Sequence, residues 1–368
     1  MSEITQYRID VPQADLDDLR YRLDRVRWAQ EMDGAGWDYG SPVDELKTQV
    51  EYWKSSYDWR VWEARLNGYP QFTTTIDGQT IHFLHVRSPH SNALPLILTH
   101  GWPGSIAEFL DIIEPLTKPG EPGIAFDLVI PSLPGFGFSG PTSTRGWNCY
   151  RIAAAWAELM RRLGYDRYGA VGNDWGSHIS PEIGRAAPTA VLGVHVTQIF
   201  SQVDPTELDR RSAEERAAAE GLDWFRRNMD AYDYLQTQQP QSLAHALTDS
   251  PVGLLGWHNL IYRGGLDPDF VLTNVMIHWL TGTVASAMRI YYEDGRSDRP
   301  GERTTVPLGL AQFRDDEHAI RRFAERDHAN IVSWNVYDTG GHFAAHQEPE
   351  LLVNDIRTFF TQLRSGQL

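Results

Sequence analysis

The stretch Val171-Gly172-Asn173-Asp174-Trp175-Gly176-Ser177 sets an acidic side chain between two glycines at Gly-x-Asp-x-Gly spacing. An apolar run, Tyr168 to Val171, precedes it, and a helix-like segment, His178 to Arg185, follows. A tight strand-to-helix turn of this kind lifts its central side chain out of a sheet, as a nucleophile elbow does. The glycines leave room for such a turn. A carboxylate there is ionised at pH 7 and needs no base to make it nucleophilic. It can attack a carbon electrophile and form an ester. On the residues alone, Asp174 also fits the plain role of N-cap for the next helix.

An ester on Asp174 must be cleaved by a water that a histidine activates and a further carboxylate orients. The chain order to look for is nucleophile, acid, histidine. Of 13 histidines, His342 in Gly340-Gly341-His342-Phe343 directly follows the last predicted strand. Two glycines let that loop carry an imidazole over a neighbouring elbow. His318, His328 and His346 read as surface residues. The acid should follow the preceding strand, and Arg314-Asp315-Asp316-Glu317 offers three candidates. Asp315 or Glu317 also fits as a cap for the next helix. The oxyanion of the tetrahedral intermediate needs backbone N–H donors. Trp175, after the nucleophile, is one candidate. Trp102, in His100-Gly101-Trp102-Pro103, is the other, since Pro103 carries no N–H. The indoles of Trp102 and Trp175 would also wall an apolar pocket.

These residues need a rigid frame. Leu94 to Thr99, Phe126 to Ile130, Tyr168 to Val171 and Val191 to Val196 read as buried strands. A helix from Ile106 and another from Tyr150 to Leu163 alternate with them. This pattern predicts an α/β fold, a mostly parallel sheet with helices on both faces. Phe72 to Ile76 and Thr80 to Val86 read as a hairpin turning at Asp77-Gly78. Ahead of it, Pro12 to Arg27 and Pro42 to Trp53 have helical spacing. Trp28, Trp37, Trp53, Trp59 and Trp62 are read as packing this leading segment onto the body. After Phe200 the alternation stops and only helical segments are predicted, beginning with a charged one, Glu207 to Glu220. Strands return at Val306 to Phe313 and Ile331 to Val336, with helices 317 to 326 and 350 to 363. The chain therefore divides into an N-terminal segment (1–90), a first core part (91–200), a helical lid (201–300) and a second core part (301–368). A lid inserted there would lie over the strands' C-terminal ends, where such sheets bind ligands.

Composition narrows the classes. A net charge of −16 argues against nucleic acid and anionic membrane surfaces. Cys149, the single cysteine, excludes an internal disulfide and a thiolate metal site. No stretch approaches the ~20 apolar residues of a membrane-spanning helix. The residues from Met1 to Asp10 lack the apolar core of a signal peptide. The expectation is a soluble, cytoplasmic protein.

Taken together, the chain resembles the α/β-hydrolase fold and, within it, the microsomal type of epoxide hydrolase. His100-Gly101-Trp102-Pro103-Gly104-Ser105 and Gly172-Asn173-Asp174-Trp175-Gly176-Ser177 are similar to its oxyanion and nucleophile motifs. Gly340-Gly341-His342-Phe343-Ala344-Ala345 and Glu348-Pro349-Glu350-Leu351 are similar to its C-terminal motif. Leu247-Thr248-Asp249-Ser250-Pro251-Val252-Gly253 and Leu272-Thr273-Asn274-Val275 resemble lid motifs. The leading segment resembles the family's wrapping N-terminal region. The resemblance implies Asp174 as nucleophile, His342 as base and Asp316 as its acid. It implies two lid tyrosines that hold and protonate the epoxide oxygen. These are Tyr232, in Tyr-x-x-x-Gln-x-x-x-Pro through Gln236 and Pro240, and Tyr291, in Arg289-Ile290-Tyr291-Tyr292-Glu293. It also implies Trp102, Trp175 and Phe343 around the substrate, a small apolar epoxide that an aryl group would suit. It implies no cofactor and no metal, and it is compatible with a homodimer. In two places the chain departs from the pattern. Asn173 stands where a glycine is expected, and asparagine tolerates unusual backbone angles. The run before Asp316 lacks the expected Phe-Pro. A haloalkane dehalogenase shares the aspartate nucleophile but needs halide-binding N–H donors in place of two phenols. A catalytically silent hydrolase fold that only binds ligands is the alternative from another class.

Overall fold

The computed structural model describes residues 3–120, 123–201, 207–208, 212–263 and 265–367. Among the described residues nine strands form one sheet: β1 (Thr5–Tyr7), β2 (Gln71–Ile76), β3 (Gln79–Val86), β4 (Leu94–Thr99), β5 (Phe126–Pro131), β6 (Tyr168–Gly172), β7 (Val191–Val196), β8 (Leu308–Gln312) and β9 (Ile331–Val336). Their order across the sheet is β1-β2-β3-β5-β4-β6-β7-β8-β9. From β5 to β9 every neighbouring pair is parallel, while β1, β2 and β3 join antiparallel at one edge. The N-terminal segment therefore contributes three strands as well as helices α1 (Gln13–Leu23), α2 (Val43–Ser55) and α3 (Trp59–Leu66). The β2–β3 hairpin turns at Asp77 and Gly78, both at positive φ, as a tight two-residue turn requires.

The central strands are apolar on both faces because both are covered. On β4, Leu96 and Leu98 join one buried cluster and Ile97 the other. The helices of the core are α4 (Leu110–Thr117), α5 (Cys149–Arg162) and α6 (Trp175–Ala186). Helix α4 contacts the C-terminal helix Pro349–Ser365 on one side, and α5 contacts α6 on the other. Phe360, Leu363 and Phe359 of the C-terminal helix press onto Gly169, Gly193 and Gly309 respectively, where a Cβ would collide with them.

The lid holds α7 (Ala213–Asn228), α8 (Ala231–Gln238), α9 (Pro240–Asp249), α10 (Pro251–Tyr262), α11 (Pro268–Leu280), α12 (Val284–Ala287) and α13 (Arg289–Asp294). Part of the predicted Glu207–Glu220 helix lies outside the described residues; the helix seen there is α7. The N-terminal segment clasps the lid through polar contacts. Ser41 Oγ donates to the Gly256 carbonyl, Asn259 Nδ2 to Gln49 Oε1, and the Tyr52 hydroxyl to Asp269. Trp53 and Trp59 are buried as expected, whereas Trp28 is exposed and lies near the Lys47 ammonium. No single described helix is long and apolar enough to cross a membrane.

After β8, residues 313–320 form an irregular turn, and α14 (Arg321–Asp327) starts later than predicted. Its N-cap position is Ile320, so neither Asp315 nor Glu317 caps it. The chain ends with α15 (Ala344–Gln347) and α16 (Pro349–Ser365).

Candidate active site

Four loops at the C-terminal ends of parallel strands converge. They follow β4, β6, β8 and β9 and carry Trp102, Asp174, Asp316 and His342. Asp174 has φ 53° and ψ −119°, a backbone state that costs a non-glycine residue roughly 1–3 kcal/mol. The turn around it is bonded from both sides. Asn173 N–H donates to the Thr99 carbonyl, and Gly176 N–H to the Asn173 carbonyl. A Cβ on Gly176 would fall 1.8 Å from the Thr99 oxygen, and one on Gly101 would fall 1.9 Å from Asp174 Oδ1. Both positions exclude any side chain. Asp174 occupies the N-cap position of α6 but makes no cap hydrogen bond. Its Oδ1 instead accepts the Trp102 N–H at 2.7 Å, and the Trp175 N–H also bonds the carboxyl. Two backbone donors therefore already bond the carboxyl that would carry the oxyanion. Burial raises this carboxyl above its ordinary range, against the pull of His342 and the two N–H groups.

His342 stands between two carboxylates. Its Nδ1 lies 3.1 Å from Asp316 Oδ1, and its Nε2 lies 3.8 Å from Asp174 Oδ2. Burial alone would lower this imidazole. The charge and hydrogen bond of Asp316, with the charge of Asp174, reverse that and hold it up at about 9. Asp316 shows the converse. Burial would raise it, but the charge and hydrogen bond of His342, with donors from Glu317 N–H and Gln198, keep it below its usual range. Of the three acidic candidates only Asp316 meets the imidazole. Asp315 is exposed and paired with Arg314 at 2.8 Å, and the Glu317 side chain is exposed. The other histidines of this region are engaged elsewhere. His346 pairs with Asp111, His328 with Thr304, and exposed His318 with the Arg314 carbonyl.

The lid closes the site with aromatic rings. Tyr232, on α8, stacks on the Trp102 indole with centroids 5.2 Å apart and planes 13° from parallel. Tyr291, on α13, meets Trp175 edge-on at 4.8 Å and Trp102 at 5.8 Å. The two phenol rings lie 6.1 Å apart. Burial first, then the charge of Asp174, pushes both hydroxyls well above their ordinary value. Both therefore stay protonated donors. Their sequence neighbours face away: Tyr234 is 66% exposed, and Tyr292 lies under the Arg296 guanidinium. Phe343 is buried below His342, its ring against Tyr262 and Phe270.

Three polar residues of the site were not anticipated. The φ of Asn173 is not positive, so backbone tolerance does not explain it; its side chain is what the site uses. Asn173 Nδ2 donates to Glu108 Oε1 at 2.8 Å, and its Oδ1 accepts from Thr197 Oγ1 and Gln198 Nε2. Glu108 is 1% exposed, and burial pushes its carboxyl up to about 8. The available signals were an acid inside the apolar run Ile106 to Leu116, and Thr197-Gln198 directly after a buried strand.

Comparison with known proteins agrees with this geometry. Residues 4–109 match the family described as epoxide hydrolase N terminus, and residues 95–253 match the alpha/beta hydrolase fold. Epoxide hydrolase 1 of Sus scrofa is 32% identical, over 97% of this chain and 88% of its own length. A protein of Stigmatella aurantiaca with a provisional epoxide hydrolase name is 42% identical, over 98% and 86%. The structure of the Aspergillus niger epoxide hydrolase superposes with a TM-score of 0.88 at 30% identity, covering 98% of this chain and 97% of that one. With an aspartate at the elbow and relatives that match along nearly their whole length, the chain belongs to the epoxide hydrolases of the α/β-hydrolase fold.

Proposed function

We propose that the protein opens an epoxide and adds water to give a vicinal diol, through a covalent ester on Asp174. The observation that supports this most directly is a carboxylate at the elbow, gripped by two backbone N–H groups beside two buried phenols. In the first step an Asp174 oxygen attacks an epoxide carbon from the side opposite the breaking C–O bond. The ring oxygen leaves as an alkoxide and takes a proton from Tyr232 or Tyr291. In the second step His342 takes a proton from water, and the hydroxide adds to the ester carbonyl. Trp102 and Trp175 N–H groups hold the oxyanion until it collapses. The departing glycol oxygen takes up the proton of the newly formed Asp174 carboxyl, so the diol leaves and the carboxylate is restored. The proton that His342 took from water replaces the one the tyrosine gave up. Asp316 keeps the imidazole oriented and supports its positive charge.

The resting charges make the second step follow from the first. While Asp174 is ionised, it helps keep the imidazole protonated. Ester formation removes that charge, so His342 gives up its proton more readily once a base is needed. The rings of Trp102, Trp175, Tyr232 and Tyr291 favour an apolar substrate and suit an aryl epoxide. No cofactor enters any step.

One turnover with excess enzyme in ¹⁸O-water tests the covalent route. Water attacks the ester carbonyl, so label should enter the Asp174 peptide and stay out of the first diol. Label found only in the diol would mean that water attacks the epoxide directly.

A further inference from the structure

The Gln198 side chain, just past β7, is 1% exposed, and its amide is fully committed. Its Oε1 accepts the backbone N–H of Asp174 at 2.8 Å and the Ser177 hydroxyl at 2.9 Å. Its Nε2 donates to Asn173 Oδ1 at 2.8 Å and to Asp316 Oδ2. The chemistry fixes this orientation. A backbone N–H needs an acceptor, a carboxylate needs a donor, and a flipped amide would offend both. Both amide hydrogens are thereby used. With Oδ2 held by Gln198 and Oδ1 on His342 Nδ1, the Asp316 carboxylate has one orientation. A single buried side chain thus ties the nucleophile's own peptide to the acid that serves the base.

We infer that Gln198 is a positioning residue for the hydrolytic half of the reaction: it holds Asp316 in register with the elbow so that His342 points at the ester on Asp174. The inference rests on the reading of Asp316 as the acid behind His342. Asn173 completes the strut. It is bonded to Gln198 on one side and to Glu108 on the other, so the amide cannot swing away from Asp316 without breaking a buried hydrogen bond. Removing one partner from such a set costs more than an exposed hydrogen bond would, because the group left behind is desolvated.

A role in hydrolysis predicts a split between the two chemical steps, which general loosening of the elbow does not. Gln198→Glu is the informative variant. It keeps an oxygen for Asp174 N–H and Ser177, but it replaces the two amide hydrogens with at most one acidic proton. Stopped-flow tryptophan fluorescence and quenched-flow mass measurement, with styrene oxide as the probe, would follow ester formation and ester hydrolysis separately between pH 6 and 9. The expected result is ester formation within about threefold of wild type and hydrolysis slowed roughly 10- to 100-fold, within the range of a misplaced general base. Hydrolysis should fall further as pH rises and the new carboxyl ionises beside Asp316. Equal slowing of both steps, or two unchanged steps, overturns the inference. If Gln198→Glu fails to fold, Asn173→Ala tests the same strut: hydrolysis alone should slow, by a few-fold, and an equal loss in both steps overturns the inference. Asp316→Asn run in parallel separates the two readings. If it leaves hydrolysis intact, the assignment of Asp316 fails. If it blocks hydrolysis while the Gln198 and Asn173 variants do not, only the role of Gln198 fails.

Discussion

His342 Nε2 lies 3.8 Å from Asp174 Oδ2, too far for a direct hydrogen bond, and it is buried with no hydrogen-bond partner among the described residues. The nitrogen faces the nucleophile's carboxyl with its lone pair or proton unused, as a base for a water attacking an ester there requires. His342→Gln should therefore still form the ester and hydrolyse it slowly. Intact-protein mass spectrometry after incubation with a substrate should show enzyme plus one epoxide. An unmodified mass during slow turnover would remove His342 from the role of base.

The same pair sets a pH dependence. In the resting protein the imidazole is held up at about 9, with Asp174 contributing. Once Asp174 is esterified, that support is gone and the imidazolium is less stable. The decay of pre-formed ester should rise with pH and level off above an apparent pKa clearly below 9. Single-turnover decay rates across pH 5 to 10 measure it. A midpoint at 9 or higher would mean that the charge of Asp174 is not what supports the imidazolium.

Asp316 meets the imidazole, while Asp315 pairs with Arg314 in solvent. Asp316→Asn should cut turnover by up to about 10⁴, the cost of losing an orienting carboxylate from a triad. Asp315→Asn and Glu317→Gln should each stay within a few-fold. A larger loss at either neighbour, measured as kcat, would move the role there.

Much of this was legible in the sequence because the chemistry sits directly after strands. Leu94–Thr99 and Tyr168–Gly172 are apolar on both faces, which only a covered parallel sheet demands. Asp174 directly follows such a strand and lies between glycines; His342 follows the half-exposed edge strand Ile331–Val336 and was marked by Gly340-Gly341 instead. The edge strand Thr5–Tyr7 was not legible, since its three residues carry no alternation and face mostly outward. The acidic run after Phe313 resembles a helix cap, yet the chain spends residues 313–320 turning Asp316 toward His342 before α14 begins. Asn173, Gln198 and Glu108 were missed for a related reason. Each acts on a residue from a neighbouring strand or loop, and spacing along one chain does not show which strands are neighbours.

Glu108 makes a prediction about stability. Burial pushes its carboxyl from 4.5 up to about 8, so the folded state keeps a proton that the unfolded chain gives up. Its contribution to folding is fully present below the unfolded value, is lost progressively while only the unfolded chain is ionised, and is smallest once the folded carboxyl ionises too. Stability should therefore fall as pH rises from about 4.5 to about 8, and the effect should level off above that. This group can contribute a slope of up to ~1.4 kcal/mol per pH unit. Glu108→Gln keeps an acceptor for Asn173 and removes the titration. Urea unfolding at pH 5.5, 6.5 and 7.5 should show wild type losing stability relative to the variant at each step. Parallel curves would mean that Glu108 is ionised in the folded protein.

The lid tyrosines allow the sharpest test of the first chemical step. Tyr232 lies flat on Trp102 and Tyr291 stands edge-on to Trp175, so each phenol is seated on a residue whose backbone N–H binds Asp174. The departing epoxide oxygen becomes an alkoxide, a strong base that must be stabilised and protonated as the ring opens. Phenols held above their ordinary pKa stay neutral and can donate first a hydrogen bond and then a proton. Sharing the growing charge between two donors is the logic of an oxyanion hole applied to a leaving group. Tyr232→Phe and Tyr291→Phe should each slow ester formation roughly 10²-fold, within the range of general acid catalysis. The double variant should be nearly inert towards epoxides. Substrate affinity should fall less than rate, because the interaction strengthens as charge develops. Ester hydrolysis, which no longer involves an alkoxide, should change little in either single variant. Near-normal ester formation in both would place the proton donor elsewhere in the lid.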